Sequence, residues 1–102
     1  MKLTLIGYGF VGKAVYEVLK DYHEVKVVDP EYNDNVIDND RDGYVICVPT
    51  PATVTGACNM TIVETVVKAC PNDKPILIKS TISLEGWRHI NQQYPNKDIA
   101  FS

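Results

Sequence analysis

The chain has 102 residues, 45% of them hydrophobic, and a formal net charge of −3. That suffices for a single domain over 1–102 with a core of its own. No basic run interleaved with aromatics marks a nucleic-acid surface, and no apolar run approaches the roughly 20 residues that span a membrane. The amino terminus enters an apolar segment with no charged leader or cleavage pattern, so the expected compartment is cytoplasmic.

Lys2–Ile6 reads as a first strand. It runs into Leu-Ile-Gly-Tyr-Gly-Phe-Val-Gly over residues 5–12, a G-x-G-x-x-G turn that opens a helix. Each glycine has a mechanical reason there. Gly7 lets the chain leave the strand in a tight turn, Gly9 leaves room for a pyrophosphate beside the backbone, and Gly12 lets helix and sheet pack closely. Phe10 and Val11 open the helix, whose amino-terminal N–H groups suit phosphates. The recurrence of Val11, Ala14, Val15, Val18 and Leu19 predicts one apolar stripe facing the sheet.

Glu24–Val28 reads as a second strand ending at Asp29-Pro30. An acid there, about 20 residues beyond the glycines, can accept the hydroxyls of an adenosine ribose. Strand, glycine turn, helix, second strand and acid together predict a dinucleotide-binding unit. Asp29 predicts NAD over NADP, because its charge repels a 2′-phosphate.

Residues 31–43 are polar and acidic, where a complete fold of this kind carries a crossover helix and a further strand. The expectation is a solvated loop, with Asn35–Asp38 the only stretch able to form a short strand. Tyr44–Val48 is a continuous apolar run, expected of a parallel strand buried on both faces, and Pro49-Thr50-Pro51 ends it. A loop over 52–59 leads to Thr61-x-x-Glu64, a capping-box pattern. Ile62, Val63, Val66, Val67 and Cys70 then mark one helical face. Pro75–Lys79 is a further buried strand, Ser80–Ser83 a strand-to-helix turn, Leu84, Trp87 and Ile90 a third stripe, and Lys97–Phe101 a last strand. Lys79 is expected to snorkel, and Trp87 to sit in the core.

The fold class implied is α/β: a Rossmann-like parallel sheet of about five strands, order 2-1-3-4-5, with helices on both faces. It is shorter than a full dinucleotide-binding domain. The crevice at the switch point between the first and third strands is the expected ligand site. Pro49, Thr50 and Pro51 fall at its edge, as do Ser80 and Thr81. Cys47, Cys58 and Cys70 are odd in number and lack C-x-x-C spacing, which argues against disulfides or a metal site. Cys47 and Cys70 read as small core residues. His23 and His89 read as surface residues without a catalytic pattern.

With Gly7-Tyr8-Gly9-Phe10-Val11-Gly12, Cys47-Val48-Pro49-Thr50-Pro51 and Lys79-Ser80-Thr81-Ile82 in this order, the chain resembles the amino-terminal domain of the UDP-glucose/GDP-mannose dehydrogenase family. Those enzymes oxidise a nucleotide-sugar primary alcohol to a carboxylate with two NAD, through a thiohemiacetal on a cysteine. The resemblance implies that Val11 and Asp29 meet the pyrophosphate and adenosine ribose, with Thr50 and Thr81 toward the nicotinamide. Glu85 stands where the family pattern has glycine, and Glu31–Asp34 carries no basic residue. The sequence given stops at Phe101-Ser102, where the family continues P-E-F-L and later supplies its lysine, asparagine and nucleophilic cysteine. The expectation is an NAD-binding portion that is inactive alone, with a nucleotide sugar as partner only of a longer chain and homo-oligomers possible. The alternatives are a stand-alone NAD-binding or redox-sensing module acting through a partner, and a dehydrogenase of the 6-phosphogluconate type, against which Asp29 speaks.

Overall fold

Four consecutive buried residues, Leu3 to Ile6, make the first strand the centre of the molecule. A computed structural model describes residues 1–29, 31–33, 35–37, 40–48, 61–80 and 84–101, with the backbone only at 61, 84, 85 and 101. The strands are β1 (Lys2–Ile6), β2 (Glu24–Val28), β3 (Gly43–Ile46), β4 (Ile76–Ile78) and β5 (Ile99–Phe101). The helices are α1 (Phe10–Leu19), α2 (Thr61–Ala69) and α3 (Leu84–Gln93). All strand pairings are parallel and the order is β2-β1-β3-β4-β5, as the apolar pattern predicts. The architecture is α/β and Rossmann-like.

β1 and β2 have the bounds the sequence predicts, whereas β3, β4 and β5 are shorter than the runs that mark them. β3 stops at Ile46 and not Val48, so Cys47 lies one residue past it, though its amide still donates to Ile6 O at 2.7 Å. β1 turns away at Gly7, so among the described residues its ladder with β3 ends at Ile6 and Ile46. Period-two alternation then sorts the side chains onto two faces. One face carries Ile6, Tyr44, Ile46, Ile76 and Ile78 beneath Val63 and Val67 of α2 and Ile90 of α3, with Trp87 packed partly against them. The other carries Leu5, Val45 and Cys47 beneath Val15, Tyr16 and Leu19 of α1.

The stripe expected on α1 is rotated. Gly12 is the buried residue of the helix, while Val11 is 48% and Val18 66% exposed and Ala14 also faces outward. A Cβ at position 12 would lie 2.0 Å from Gly7 O. That close approach fixes the helix about its own axis. The inward set becomes Gly12, Val15, Tyr16 and Leu19, and the remaining valines are turned out.

The stretch after β2 is less solvated than expected. Ile37 packs against the core. The side-chain amides of Asn33 and Asn35 donate to Val27 O at 3.0 and 2.9 Å, closing an acceptor on the outer edge of β2. Arg41, 8% exposed, donates through Nη2 to Leu3 O at 2.7 Å and to Glu24 O at 3.2 Å. Asp42 Oδ2 accepts from the Lys2 amide at 2.7 Å. A buried guanidinium thus ties the amino-terminal ends of β1 and β2, and the strand considered at 35–38 does not form among the described residues.

Candidate functional site

At the carboxyl ends of β1 and β3 the chain leaves toward opposite faces, α1 on one side and α2 on the other. The divergence opens a crevice of about 630 Å³. Its floor is Ile6, Cys47 and Val48, one wall Gly7, Gly9, Phe10 and Val11, and the opposite wall Ile62 and Val66 of α2. Asp29 and Glu31 stand at one end, Lys79 and Ser80 at the other.

The three glycines differ in kind. Gly7 has φ +96°, and a Cβ there would lie 2.7 Å from the Cys47 carbonyl. Only glycine meets both demands. Gly12 is closed by the 2.0 Å approach to Gly7 O. Gly9 is the opposite case: a Cβ would meet nothing within 4 Å. It is the N-cap of α1 and brings no capping side chain, and the first turn holds no acid. The amides of that turn have no acceptor within the helix. The crevice therefore has room and partial positive charge at the same place.

Asp29 is half-buried and fastened on both sides. Its Oδ2 accepts from the Tyr8 amide at 2.6 Å and its Oδ1 from the Glu31 amide at 2.9 Å. The Gly7 amide donates to Val28 O at 2.9 Å, so two successive amides of the turn are bound to the end of β2. The Tyr8 ring packs against Tyr32, centroids 4.5 Å apart, and edge-on to Tyr16 at 5.8 Å, with Lys13 Nζ 5.7 Å from its centroid.

Of the residues singled out by sequence, Gly7, Gly9, Phe10, Val11, Asp29 and Ser80 line the crevice, and Gly12 sets the helix behind it. Ser80 is 5% exposed, and its hydroxyl donates to Val48 O at 2.8 Å, joining the ends of β3 and β4. Pro30, Pro49, Thr50, Pro51, Thr81 and Cys58 lie outside the described residues, as does the side chain of Glu85. Sequence reasoning missed Glu31, Ile37, Ile62 and Val66 as lining residues. The signal for the last two was the width of the stripe on α2, broader than one sheet face can cover. Its inner part, Val63, Val67 and Cys70, is core, while Ile62 remains 40% exposed at the crevice.

Burial pushes the Cys47 thiol up to about 11, more than nearby Lys79 offsets. Cys70 is raised to about 11 in the same way, and Lys97 donates to its carbonyl. Neither sulfur is a thiolate near neutral pH, in keeping with core residues. His89 Nε2 lies 3.2 Å from Glu64 Oε1, linking α3 to α2 at the surface. Among the described residues no cluster of His, Cys, Asp and Glu is arranged to hold a metal, and no helix is long and apolar enough to cross a membrane.

The architecture has known counterparts. A ternary complex of GDP-mannose dehydrogenase from Pseudomonas aeruginosa superposes with a TM-score of 0.73 at 17% identity, over 99% of this chain and 35% of that one. A UDP-glucose dehydrogenase from the hyperthermophilic archaeon Pyrobaculum islandicum superposes with a TM-score of 0.57 at 14% identity, over 98% and 34%. The likeness is one of fold. This chain spans about a third of the length of the solved structures it matches. No protein-family model and no curated protein matches the sequence.

Proposed function

We propose that this chain is the NAD-binding unit of a nucleotide-sugar 6-dehydrogenase, the sugar site and the catalytic base and thiol being supplied outside these residues. The observation that carries the reading is the contrast among the glycines: Gly7 and Gly12 are closed by backbone, while Gly9 faces open space at an uncapped helix end beside Asp29. Gly9, Phe10 and Val11 would hold the pyrophosphate. Asp29 and Pro30 would meet the adenosine ribose. Pro49, Thr50 and Pro51 would border the cofactor, with Ser80 and Thr81 toward its nicotinamide half. Ser80 would act there through the shape of its turn, since its hydroxyl is engaged with Val48 O.

When bound, NAD would supply the hydride acceptor. This chain's own residues bind and orient. Val48 of the floor and Ile62 and Val66 of the wall would exclude water from the crevice. Deprotonating a substrate alcohol needs a positioned base. Thr50, Ser80 and Thr81 are poor bases near neutral pH, and Cys47 stays protonated. The chain alone is therefore expected to bind without turnover.

Titration calorimetry with NAD and NADP tests the reading. NAD is expected to bind at least about tenfold more tightly, since a 2′-phosphate loses a charge-assisted hydrogen bond to Asp29 and meets its charge. Equal or tighter binding of NADP, or no binding of either, overturns it.

A second reading, an NAD-binding module acting through a partner, draws on one observation. Val18 is 66% exposed on the outer side of α1, adjoining the exposed crevice-wall residues Phe10 and Val11. Sedimentation measured with and without NAD distinguishes the two readings: a cofactor-dependent change in association state favours the module.

A further inference from the structure

The residue between the two glycines of the turn, Tyr8, is restrained through both its amide and its ring. Its amide is bound by Asp29 at 2.6 Å, and its ring is held by Tyr16 and Tyr32. The preceding amide, on Gly7, is bound by Val28 O at 2.9 Å. Glycine flanks have wide conformational freedom, so a turn built on Gly7 and Gly9 keeps a single shape only if something outside it does the fixing. The Asp29 carboxylate is suited to that work because it is itself oriented. Its second oxygen accepts from the Glu31 amide at 2.9 Å, a turn in which the aspartate binds its own backbone two residues on.

We propose that Asp29 is a positioning residue for the phosphate-facing turn, setting the direction of the Gly9 and α1 amides through the Tyr8 N–H, independently of any ribose it also meets. This rests on the dinucleotide reading above. The two roles are compatible, since each carboxylate oxygen has two lone pairs and one N–H leaves capacity for a hydroxyl. They differ in what they predict for a ligand that carries the phosphates and lacks the hydroxyls.

For such a ligand the ribose role of Asp29 vanishes and only its charge remains. A negative charge near the turn disfavours a diphosphate, so removing it should strengthen binding. If Asp29 holds the turn, removing it should weaken binding instead. The sign decides between them.

The test uses ADP and 2′,3′-dideoxyadenosine 5′-diphosphate with the whole chain, wild type and two variants. Asp29→Ala is expected to weaken the dideoxy ligand about fivefold or more, the loss of one charge-assisted hydrogen bond that orders the turn. Asp29→Asn keeps an oxygen for the Tyr8 amide and discards the charge, so it should restore dideoxy binding while still weakening ADP. Hydrogen exchange gives a readout that needs no ligand. The Tyr8 amide should be protected in the free wild type and in Asp29→Asn, and exposed in Asp29→Ala. Unchanged or tighter dideoxy binding in Asp29→Ala overturns the positioning role, as does an unprotected Tyr8 amide in the wild type. Failure of the wild type to bind either nucleotide is a different pattern. It overturns the dinucleotide reading and this proposal with it.

Discussion

A Cβ at Gly9 points into empty space and one at Gly12 points at a carbonyl oxygen 2.0 Å away, so the same kind of substitution should have opposite consequences three residues apart in one turn. Gly9→Val should leave the fold intact, because the backbone there has φ −83° and any residue adopts it. Its branched side chain should fill the space beside the uncapped helix end and abolish NAD binding by calorimetry. Gly12→Ala should cost about 1–3 kcal/mol in urea unfolding, since the helix must move off the Gly7 turn and the gain in helix propensity is only about 1 kcal/mol. Residue chemistry also sets an alkaline limit. Cys47 and Cys70 go from an ordinary thiol value of 9.0 to about 11 on burial. Between those values the unfolded chain has lost protons that the folded chain retains, so stability falls as pH rises. The contribution is whole below pH 9 and gone above 11, at most about 2–3 kcal/mol per thiol. Unfolding midpoints measured from pH 8 to 10.5 check the slope, and a flat profile would count against buried thiols.

At the scale of elements, strand identity and order were legible because parallel strands buried on both faces announce themselves as short apolar runs between breakers. The glycine turn was equally plain, since its spacing has one mechanical reading. What the pattern hid was rotation and use. Five apolar positions on α1 give no sign of which ones face the sheet until Gly12 is known to lie against Gly7. Arg41 offers no signal either, because a guanidinium buried to bind Leu3 O and Glu24 O looks in sequence like one more charge in a polar loop. Ile90→Ala on α3, fully buried, should cost about 2–5 kcal/mol in denaturant unfolding. Val18→Ala on α1, at 66% exposure, should stay within about 0.5 kcal/mol. A large loss for the second would mean that the outward flank of α1 is covered in solution.

Across the whole molecule, every strand pairing joins residues at least 22 positions apart, the separation of Lys2 and Glu24. Among the described residues the sheet contains no hairpin to form early, so refolding should take on the order of milliseconds to seconds, well above the microseconds of helical bundles. The single tryptophan, Trp87, half-buried on α3, reports this by stopped-flow fluorescence. Parallel pairing around β1 also bears on synthesis. β2 can join β1 as soon as Val28 is clear of the ribosome, but the strand that covers the other edge of β1 ends at Ile46. At about 5–20 residues per second, translation leaves that edge open for about one to four seconds. During that interval the nascent chain presents an apolar, unpaired strand to its neighbours on the same message, and the Asn33 and Asn35 amides, which close an acceptor on the outer side of β2, give no cover to β1.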